Sequence, residues 1–398
     1  MATIALAEPQ VRQAADRPGW QAFLAMAFRP FYLAAALFGA SAVIAWVAGF
    51  GGSAALPGAL WHGHEMIWGY AGAVIVGFLL TAVATWTGQP PLSGRPLAGL
   101  FSLWMAARLA AVGEVGAPWL TGLCSVGFFL AAAAALAVPI WRSRNRRNSL
   151  VPLLLIAFGL ADGGFLLAAH GALAIDSQRL LMTGLVLVAA FITVIGLRVI
   201  PFFAHRALQT PQITHPRWAG WAALAAPLVL AACVATRTTE SIGAVAGLVG
   251  MLFNLVLLGR NLRRGVLRQP LLWVLFAGYA LTALGLGLAG LALAGRPALL
   301  SAAIHLVAVG GIGVLTLGMM SRTALGHTGR PLRLPPPMVP AFLAMLLAAV
   351  LRVAAAWPGD AHPMLLPAAG GAFATALLLF VLRCGRWLIC SRADGLPG

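Results

Sequence analysis

The chain has 398 residues, of which 61% are apolar and only 9% are charged, and its mean hydropathy is +0.93. Soluble domains carry about 25% charged residues, so this composition excludes a water-soluble globular protein and makes a lipid bilayer the expected surroundings. The net charge of +17 does not indicate a nucleic-acid partner, because all 26 basic residues are arginines that lie between apolar runs rather than in one patch.

The apolar runs have the length of membrane-spanning helices, about 18–25 residues each. They are rich in Ala, Leu and Gly and show no alternation, which favours helices over a closed barrel. We expect residues 1–27 to be a cytoplasmic N-terminal segment without a signal peptide, 28–390 a single membrane domain and 391–398 a cytoplasmic tail. Twelve spans are predicted, at 31–50, 62–86, 97–113, 119–141, 150–170, 179–203, 217–235, 241–259, 271–294, 297–320, 337–356 and 363–390.

The arginines support an even number of spans. With twelve spans and a cytoplasmic N-terminus, 21 of the 26 arginines fall on the cytoplasmic side, as the positive-inside rule requires. Both termini are therefore predicted to be cytoplasmic, in a multi-pass protein of the bacterial inner membrane. The five arginines that remain for the other side are Arg108, Arg179, Arg237, Arg296 and Arg352.

An internal repeat relates the second and tenth spans. The sequence HEMIWGYAGAVIVGFLLTAVATWTGQP begins at His64, and HLVAVGGIGVLTLGMMSRTALGHTGRP begins at His305. Both open with histidine, end in TG-x-P and share glycines at three intermediate positions. Copies eight helices apart run in the same direction, and a weaker middle copy in the sixth span predicts three parallel four-helix blocks. The shared glycines are Gly69/Gly310, Gly72/Gly313 and Gly77/Gly318.

Histidines near the ends of helices carry most of the candidate chemistry. His305 lies about 12 Å inside the tenth span, where an ionisable side chain indicates a functional site. Its repeat partner His64 would suit the second axial position of one heme, because neutral imidazole is a common ligand of heme iron. His62 would be rotated about 200° from His64 on a helix, so the two would not share one metal. His62 would then bind copper or support another ligand at a different site, or lie in the preceding loop. Glu65 would orient an imidazole or bind a proton; the alternative is a solvated acid at the start of a helix, which the helix dipole favours.

A second group of candidates lies at the cytoplasmic ends of the sixth and tenth spans. Arg198 and Arg322, together with the metal-ligand candidates His205 and His327, would bind a heme propionate or a phosphate; the alternative is that they set the topology. Asp162, deep in the fifth span, needs a partner, for which Arg198 and Arg322 are the candidates.

Five motifs resemble those of the NnrS family, which comprises membrane proteins of the bacterial nitric oxide response. They occur in the family's order from residue 28 to about 335, and the first 27 residues and last two spans carry little of the resemblance. The motifs are FRPFY from Phe28, WHGHEMIWGYAGAVIVGFLLTAV from Trp61, TGQPPLSGRP from Thr87, RVIPFFAHRAL from Arg198 and H-x12-GMMSRTALGHTGRPL from His305.

The resemblance implies a heme- and copper-containing inner-membrane protein linked to denitrification and nitrosative stress, but it does not imply that the protein is an enzyme. The heme would be b-type, because the chain has no CxxCH motif. The helix count resembles the catalytic subunit of heme-copper oxidases, which places ligand histidines on helices two, six and ten. The sixth span here has no intramembrane histidine, which weakens an oxidase-type copper site. A membrane oxidoreductase acting on nitric oxide or quinol, and a transporter of heme or a metal complex, remain alternatives.

Overall fold

The computed structural model describes residues 18–53, 56–112, 118–236, 240–357 and 362–396. Within these ranges the chain is all-α and no strand is present, so the predicted all-helical fold is confirmed. A one-turn helix, Trp20–Phe23, precedes twelve long helices. These are α1 (Phe28–Val47), α2 (Ala59–Thr87), α3 (Gly94–Val112), α4 (Pro118–Arg142), α5 (Leu150–Ala169), α6 (Ser177–Leu208), α7 (Arg217–Thr236), α8 (Glu240–Gly259), α9 (Pro270–Leu293), α10 (Pro297–His327), α11 (Met338–Ala354) and α12 (His362–Ile389).

Each predicted span overlaps one of these helices, and two of the helices extend five or more residues past their predicted ends. The α6 helix continues to Leu208 and α10 to His327, five and seven residues past the predicted ends at 203 and 320. The polar sequences at these ends are helical because they pack on each other: the guanidinium of Arg322 lies 3.6 Å from the ring centroid of Phe203. The prediction ended both helices where the sequence becomes polar, and both ends were therefore placed too early.

The outer surface of the bundle fits a lipid environment. Ten of the described helices are long and apolar enough to cross a membrane, and α11 is apolar but has only 17 residues. Leucines such as Leu382 and Leu160 are 80% and 60% exposed, which is costly in water but normal against lipid. Exposed tryptophans near the helix ends, including Trp119 and Trp141 on α4, match the aromatic belts of membrane proteins. The chain is therefore a multi-pass membrane protein.

The two ends of the described chain lie on the same face of the bundle. The backbone N–H of Gly19 donates to the carbonyl of Ile389 (3.0 Å), and α1 packs along α12. The buried guanidinium of Arg29, at the start of α1, donates to the carbonyls of Trp387 and Cys390 at the end of α12. The last carbonyls of a helix have no partner within the helix, and here they accept from the guanidinium instead. An even number of crossings follows from this geometry.

Helices α2, α6 and α10, which the repeat relates, lie against one another. The hydroxyl of Tyr70 on α2 is hydrogen-bonded to that of Thr316 on α10 (2.7 Å). Gly184 on α6 faces the indole of Trp68 on α2, and a Cβ there would come within 2.4 Å of the ring. The α6 and α10 helices are also in contact. Three parallel four-helix blocks, which the repeat predicts, would bring these three helices together in this way.

Both outer copies of the repeat contain a π-helical segment at the same place. In α2 the π-helix spans Glu65–Ala71, directly after His64, and in α10 it spans Leu306–Gly313, directly after His305. The π-helix is rare and occurs often at functional sites, because its extra residue rotates the side chains before it relative to those after it. The middle copy, α6, is a continuous α-helix. The shared π-helices support the repeat of α2 with α10.

Candidate functional site

A cavity of about 1150 Å³ lies at the face opposite the described chain ends. Small-molecule sites usually measure about 300–1,000 Å³, so this space accommodates a large ligand. Its walls come mainly from α1, α2, α6, α10, α11 and α12 and are mostly apolar. The polar side chains of its membrane-embedded wall include His62, Tyr70, His305 and Arg352. Polar groups that converge in an apolar cavity indicate a binding site.

The imidazole of His62 is held against an aromatic ring and keeps a free nitrogen. It stacks on the indole of Trp46 on α1, with ring centroids 4.9 Å apart and planes 16° apart. Its Nδ1 is buried and has no hydrogen-bond partner among the described residues. A buried nitrogen without a partner is costly in a membrane, and a bound metal would satisfy it.

His305 lines the same cavity, and one of its two ring nitrogens is available to a metal. Its Nδ1 lies 2.8 Å from the backbone carbonyl of Ser301. A carbonyl only accepts, so Nδ1 carries the hydrogen and Nε2 of the neutral ring carries the lone pair that a metal needs. Within the described ranges Nε2 of His305 takes part in no hydrogen bond. The site therefore brings together two imidazoles from the helices that the repeat relates.

His64 does not line this cavity. It is fully buried between α2 and α5, where its ring stacks on Phe165 at 5.4 Å. Its Nδ1 lies 2.7 Å from Oε1 of Glu65, and its Nε2 lies 2.9 Å from Oδ1 of Asp162. Both ring nitrogens are thus engaged by carboxylates. The structure does not bring His64 and His305 to one cavity; the residue that joins His305 there is His62.

His64 belongs to a closed ring of five hydrogen-bonded side chains contributed by α2, α3, α4 and α5. Glu65 Oε2 accepts from the guanidinium of Arg108 (3.0 Å), and Arg108 donates to the hydroxyl of Ser125 (3.3 Å). Ser125 in turn donates to Asp162 Oδ2 (2.5 Å), which returns to His64. All five residues are buried, with at most 3% of each exposed. We refer to these residues as the His64 ring.

The protons of the His64 ring can be counted from its geometry. Each of the two contacts between His64 and a carboxylate needs one proton, because neither an imidazole lone pair nor a carboxylate can donate. With both protons on the imidazole, the charges of His64 and Arg108 balance those of Glu65 and Asp162. The ring is then electrically neutral, which a group of charges needs in a membrane interior. Loss of any one of the four charged members, His64, Glu65, Arg108 or Asp162, would leave an unbalanced buried charge.

This ring corrects the predicted partner of Asp162 and assigns a partner to Glu65. Asp162 pairs with His64 and Ser125, so the expectation of Arg198 or Arg322 is wrong. The physical reason is position, because both of those arginines lie in the final turns of their helices at the face that carries the chain ends, far along the bundle axis from Asp162. Glu65 orients the imidazole of His64, one of the predicted roles, and it is not a solvated acid because it is fully buried.

The residues predicted to bind a propionate or a phosphate lie at the face that carries the chain ends. The structure places them in separate local environments. The guanidinium of Arg198 donates to Asn148 Oδ1 (2.5 Å) and to the carbonyl of Arg147, which ties α6 to the segment after α4. Arg322 stacks on Phe203. The ring of His327, at the end of α10, packs 5.6 Å from that of Phe28.

His205 belongs to the same group and is bonded locally. Its Nδ1 donates to the carbonyl of Thr210, just beyond the end of α6. Among the described residues no group of three or more His, Cys, Asp or Glu side chains is placed to hold a metal ion. The roles of Arg198, Arg322, His205 and His327 in binding a cofactor stay predictions.

Three arginines inside the protein were not among the predicted site residues. Arg108 belongs to the His64 ring, while Arg179 and Arg352 line the cavity. All three are among the five arginines that the positive-inside rule left on the wrong side. Arg296 is exposed, and Arg237 lies outside the described residues. The sequence could therefore have indicated them, because an arginine that does not follow the positive-inside rule is a candidate for a role inside the protein.

The family assignment follows from comparison with known proteins. The model of the family described as NnrS protein matches residues 22–392. No curated protein matches the chain. The match covers all twelve helices and both copies of the repeat, including the cavity and the His64 ring. The chain therefore belongs to the NnrS family, and it is a multi-pass membrane protein related to the nitric oxide response.

Proposed function

We propose that the chain is a heme-binding protein of the bacterial inner membrane that acts in the nitric oxide and nitrosative stress response of denitrifying bacteria. The observation that carries this proposal is the pair of imidazoles, His62 and His305, on the wall of one large apolar cavity. Each has a nitrogen without a hydrogen-bond partner among the described residues. Neutral imidazoles with free nitrogens are the usual axial ligands of a b-type heme.

The shape and chemistry of the cavity fit a heme. Its volume exceeds that of common small-molecule sites, and its apolar walls suit the faces of a macrocycle. Trp46 fixes the ring plane of His62 by stacking, and the carbonyl of Ser301 fixes the tautomer of His305. Such supporting contacts orient metal ligands and raise their basicity. Heme, when bound, would supply an iron that exchanges an electron.

An optical titration tests this proposal. Purified protein in detergent is mixed with hemin, and the spectra of wild type, His62→Ala and His305→Ala are compared. Wild type should give a Soret band and sharp α and β bands on reduction, and each substitution should shift them because one of the two imidazoles that would hold the iron is lost. His215→Ala, at the opposite face, should match wild type. Unchanged spectra for both cavity variants would contradict the assignment of ligands.

Copper is a second candidate for the same pair, because imidazole suits copper as well as iron. Metal analysis of the protein as purified separates the two cases. Iron with a porphyrin spectrum supports heme, and copper with no absorption in the Soret region supports a copper site. A colourless protein without metal would favour the transporter alternative.

The proposed location includes both termini in the cytoplasm. The described chain ends share one face, and the arginine distribution makes that face cytoplasmic. Reporter fusions after Ser143 and after Asp360 should report opposite sides of the membrane, with Ser143 cytoplasmic. The same side for both would contradict twelve crossings.

A further inference from the structure

Arg352 places a positive charge in the wall of the cavity, and no carboxylate of the described residues pairs with it. It lies near the end of α11, and its Nη1 is buried with no hydrogen-bond partner among the described residues. It lines the same cavity as His62 and His305. The guanidinium therefore shares the cavity wall with the two residues that would hold the iron.

The other charged groups of the cavity wall do not neutralise Arg352. No ion pair joins it to any carboxylate in the described part of the chain. Asp176 is exposed at the start of α6, where its carboxylate caps the helix by accepting from the N–H of Gln178. Glu240 is exposed at the first residue of α8. Arg179 adds a second cation, whose Nη2 donates to the carbonyl of Val234 (3.0 Å).

An unpaired guanidinium in such a place requires an anion. A buried charge is costly unless it is paired and hydrogen-bonded, and arginine stays protonated under all ordinary conditions. Its planar donors match a carboxylate or a phosphate in two parallel hydrogen bonds. Since the described part of the chain supplies no carboxylate there, the ligand of the cavity is the source we consider.

We infer that Arg352 binds a carboxylate of the ligand in this cavity, so that the site selects a porphyrin with free propionates over a neutral one. This inference rests on the proposed heme site and specifies the charge of its ligand. Arg352 is then a specificity residue, because it contacts the side group of the macrocycle while His62 and His305 contact the metal. The predicted propionate partners at the opposite face, Arg198 and Arg322, have no part in it.

The test compares hemin with hemin dimethyl ester, which has the same macrocycle and iron but no negative propionates. Dissociation constants are measured by Soret titration for wild type, Arg352→Gln, Arg352→Lys and the exposed control Arg296→Gln. Wild type and the control should bind hemin about 10- to 100-fold more tightly than the ester, the range expected for a hydrogen bond to a charged group. Arg352→Gln should lose most of this preference by weakening hemin alone.

Arg352→Lys guards against a variant that merely misfolds, because it keeps the charge. It should retain part of the preference for hemin, since an ammonium attracts a carboxylate but cannot pair with it bidentately. Equal affinities of wild type for the two porphyrins, or an Arg352→Gln variant that weakens both equally, would overturn the role of Arg352 and leave the heme site in place. A wild-type protein that binds neither porphyrin would overturn the proposed function and this inference with it.

Discussion

The charge balance of the His64 ring gives a quantitative prediction. Arg108→Met removes the guanidinium that pairs with Glu65 at 3.0 Å and leaves a net negative charge in the membrane interior. Both partners are almost fully buried, with relative side-chain exposures of 4% and 0%, so solvent does not screen the loss. Removing one partner of a buried pair costs about 3–5 kcal/mol. We expect Arg108→Met to lower the free energy of unfolding by that amount, and Glu65→Gln to do so similarly.

The double variant Arg108→Met/Glu65→Gln distinguishes charge balance from simple packing. It removes one positive and one negative charge, so His64 and Asp162 remain as a neutral pair. It should therefore be less destabilised than the sum of the single variants by about 2 kcal/mol or more, which is within the range for residues in one hydrogen-bonded network. The loss of side-chain volume, by contrast, would be nearly additive.

Equilibrium unfolding in mixed micelles with a rising fraction of denaturing detergent, followed by tryptophan fluorescence, measures these free energies. The exposed Arg296→Met is the control, and it should change stability by no more than about 0.5 kcal/mol. Additive effects of the two ring substitutions would refute the neutral-ring explanation, as would a cost for Arg108→Met no larger than that of the control.

Three further predictions follow from single contacts. Gly69→Ala should lower the melting temperature, because its Cβ would come within 2.5 Å of a guanidinium nitrogen of the ring, whereas Gly99→Ala, where the space is open, should not. Tyr70→Phe loses a hydrogen bond between α2 and α10, and unfolding assays should show a cost of about 0.5–1.5 kcal/mol. Burial and the nearby charge of Arg260 lower the pKa of His215. The unfolded state then binds more protons, so stability should fall as pH drops below the ordinary pKa of about 6.5. In His215→Gln, melting temperatures measured from pH 7.5 to 5.5 should decrease less.

The sequence was sufficient for the fold but not for the pairing of its polar side chains. Helix number and position follow from the length of apolar runs, and the relation of α2 to α10 follows from a histidine followed by glycines at fixed spacing. The rotation of about 200° between His62 and His64 correctly separated the two into different sites. Which of them faces the cavity depends on how α2 is turned within the bundle, and that depends on α3 and α5.

The π-helices explain in part why the sequence did not predict which side chains lie near one another. A helical wheel assumes 3.6 residues per turn, and the wider turn after His64 or His305 shifts every later residue on that wheel. Nothing in the composition of Glu65–Ala71 predicts this change. It is fixed by tertiary contacts instead, such as the indole of Trp104 on α3, which donates to the carbonyl of Gly69 within the π-helix (3.0 Å). The site thus depends on contacts between elements distant in the sequence.

The His64 ring also bears on how the protein enters the membrane. Synthesis proceeds from the N-terminus, so His64 and Glu65 are made before Arg108, which is 43 residues beyond Glu65, and before Asp162, which is 98 beyond His64. A lone charged side chain at the centre of a helix opposes insertion by about 2.5–3.5 kcal/mol, and these two residues are near the beginning of α2, where they can stay at the water boundary until their partners arrive. Burial of α2 to its final depth therefore waits for α5. The four helices that carry the ring, α2 to α5, are all made before α10 and α11, so the ring can close before the wall carrying His305 and Arg352 is added.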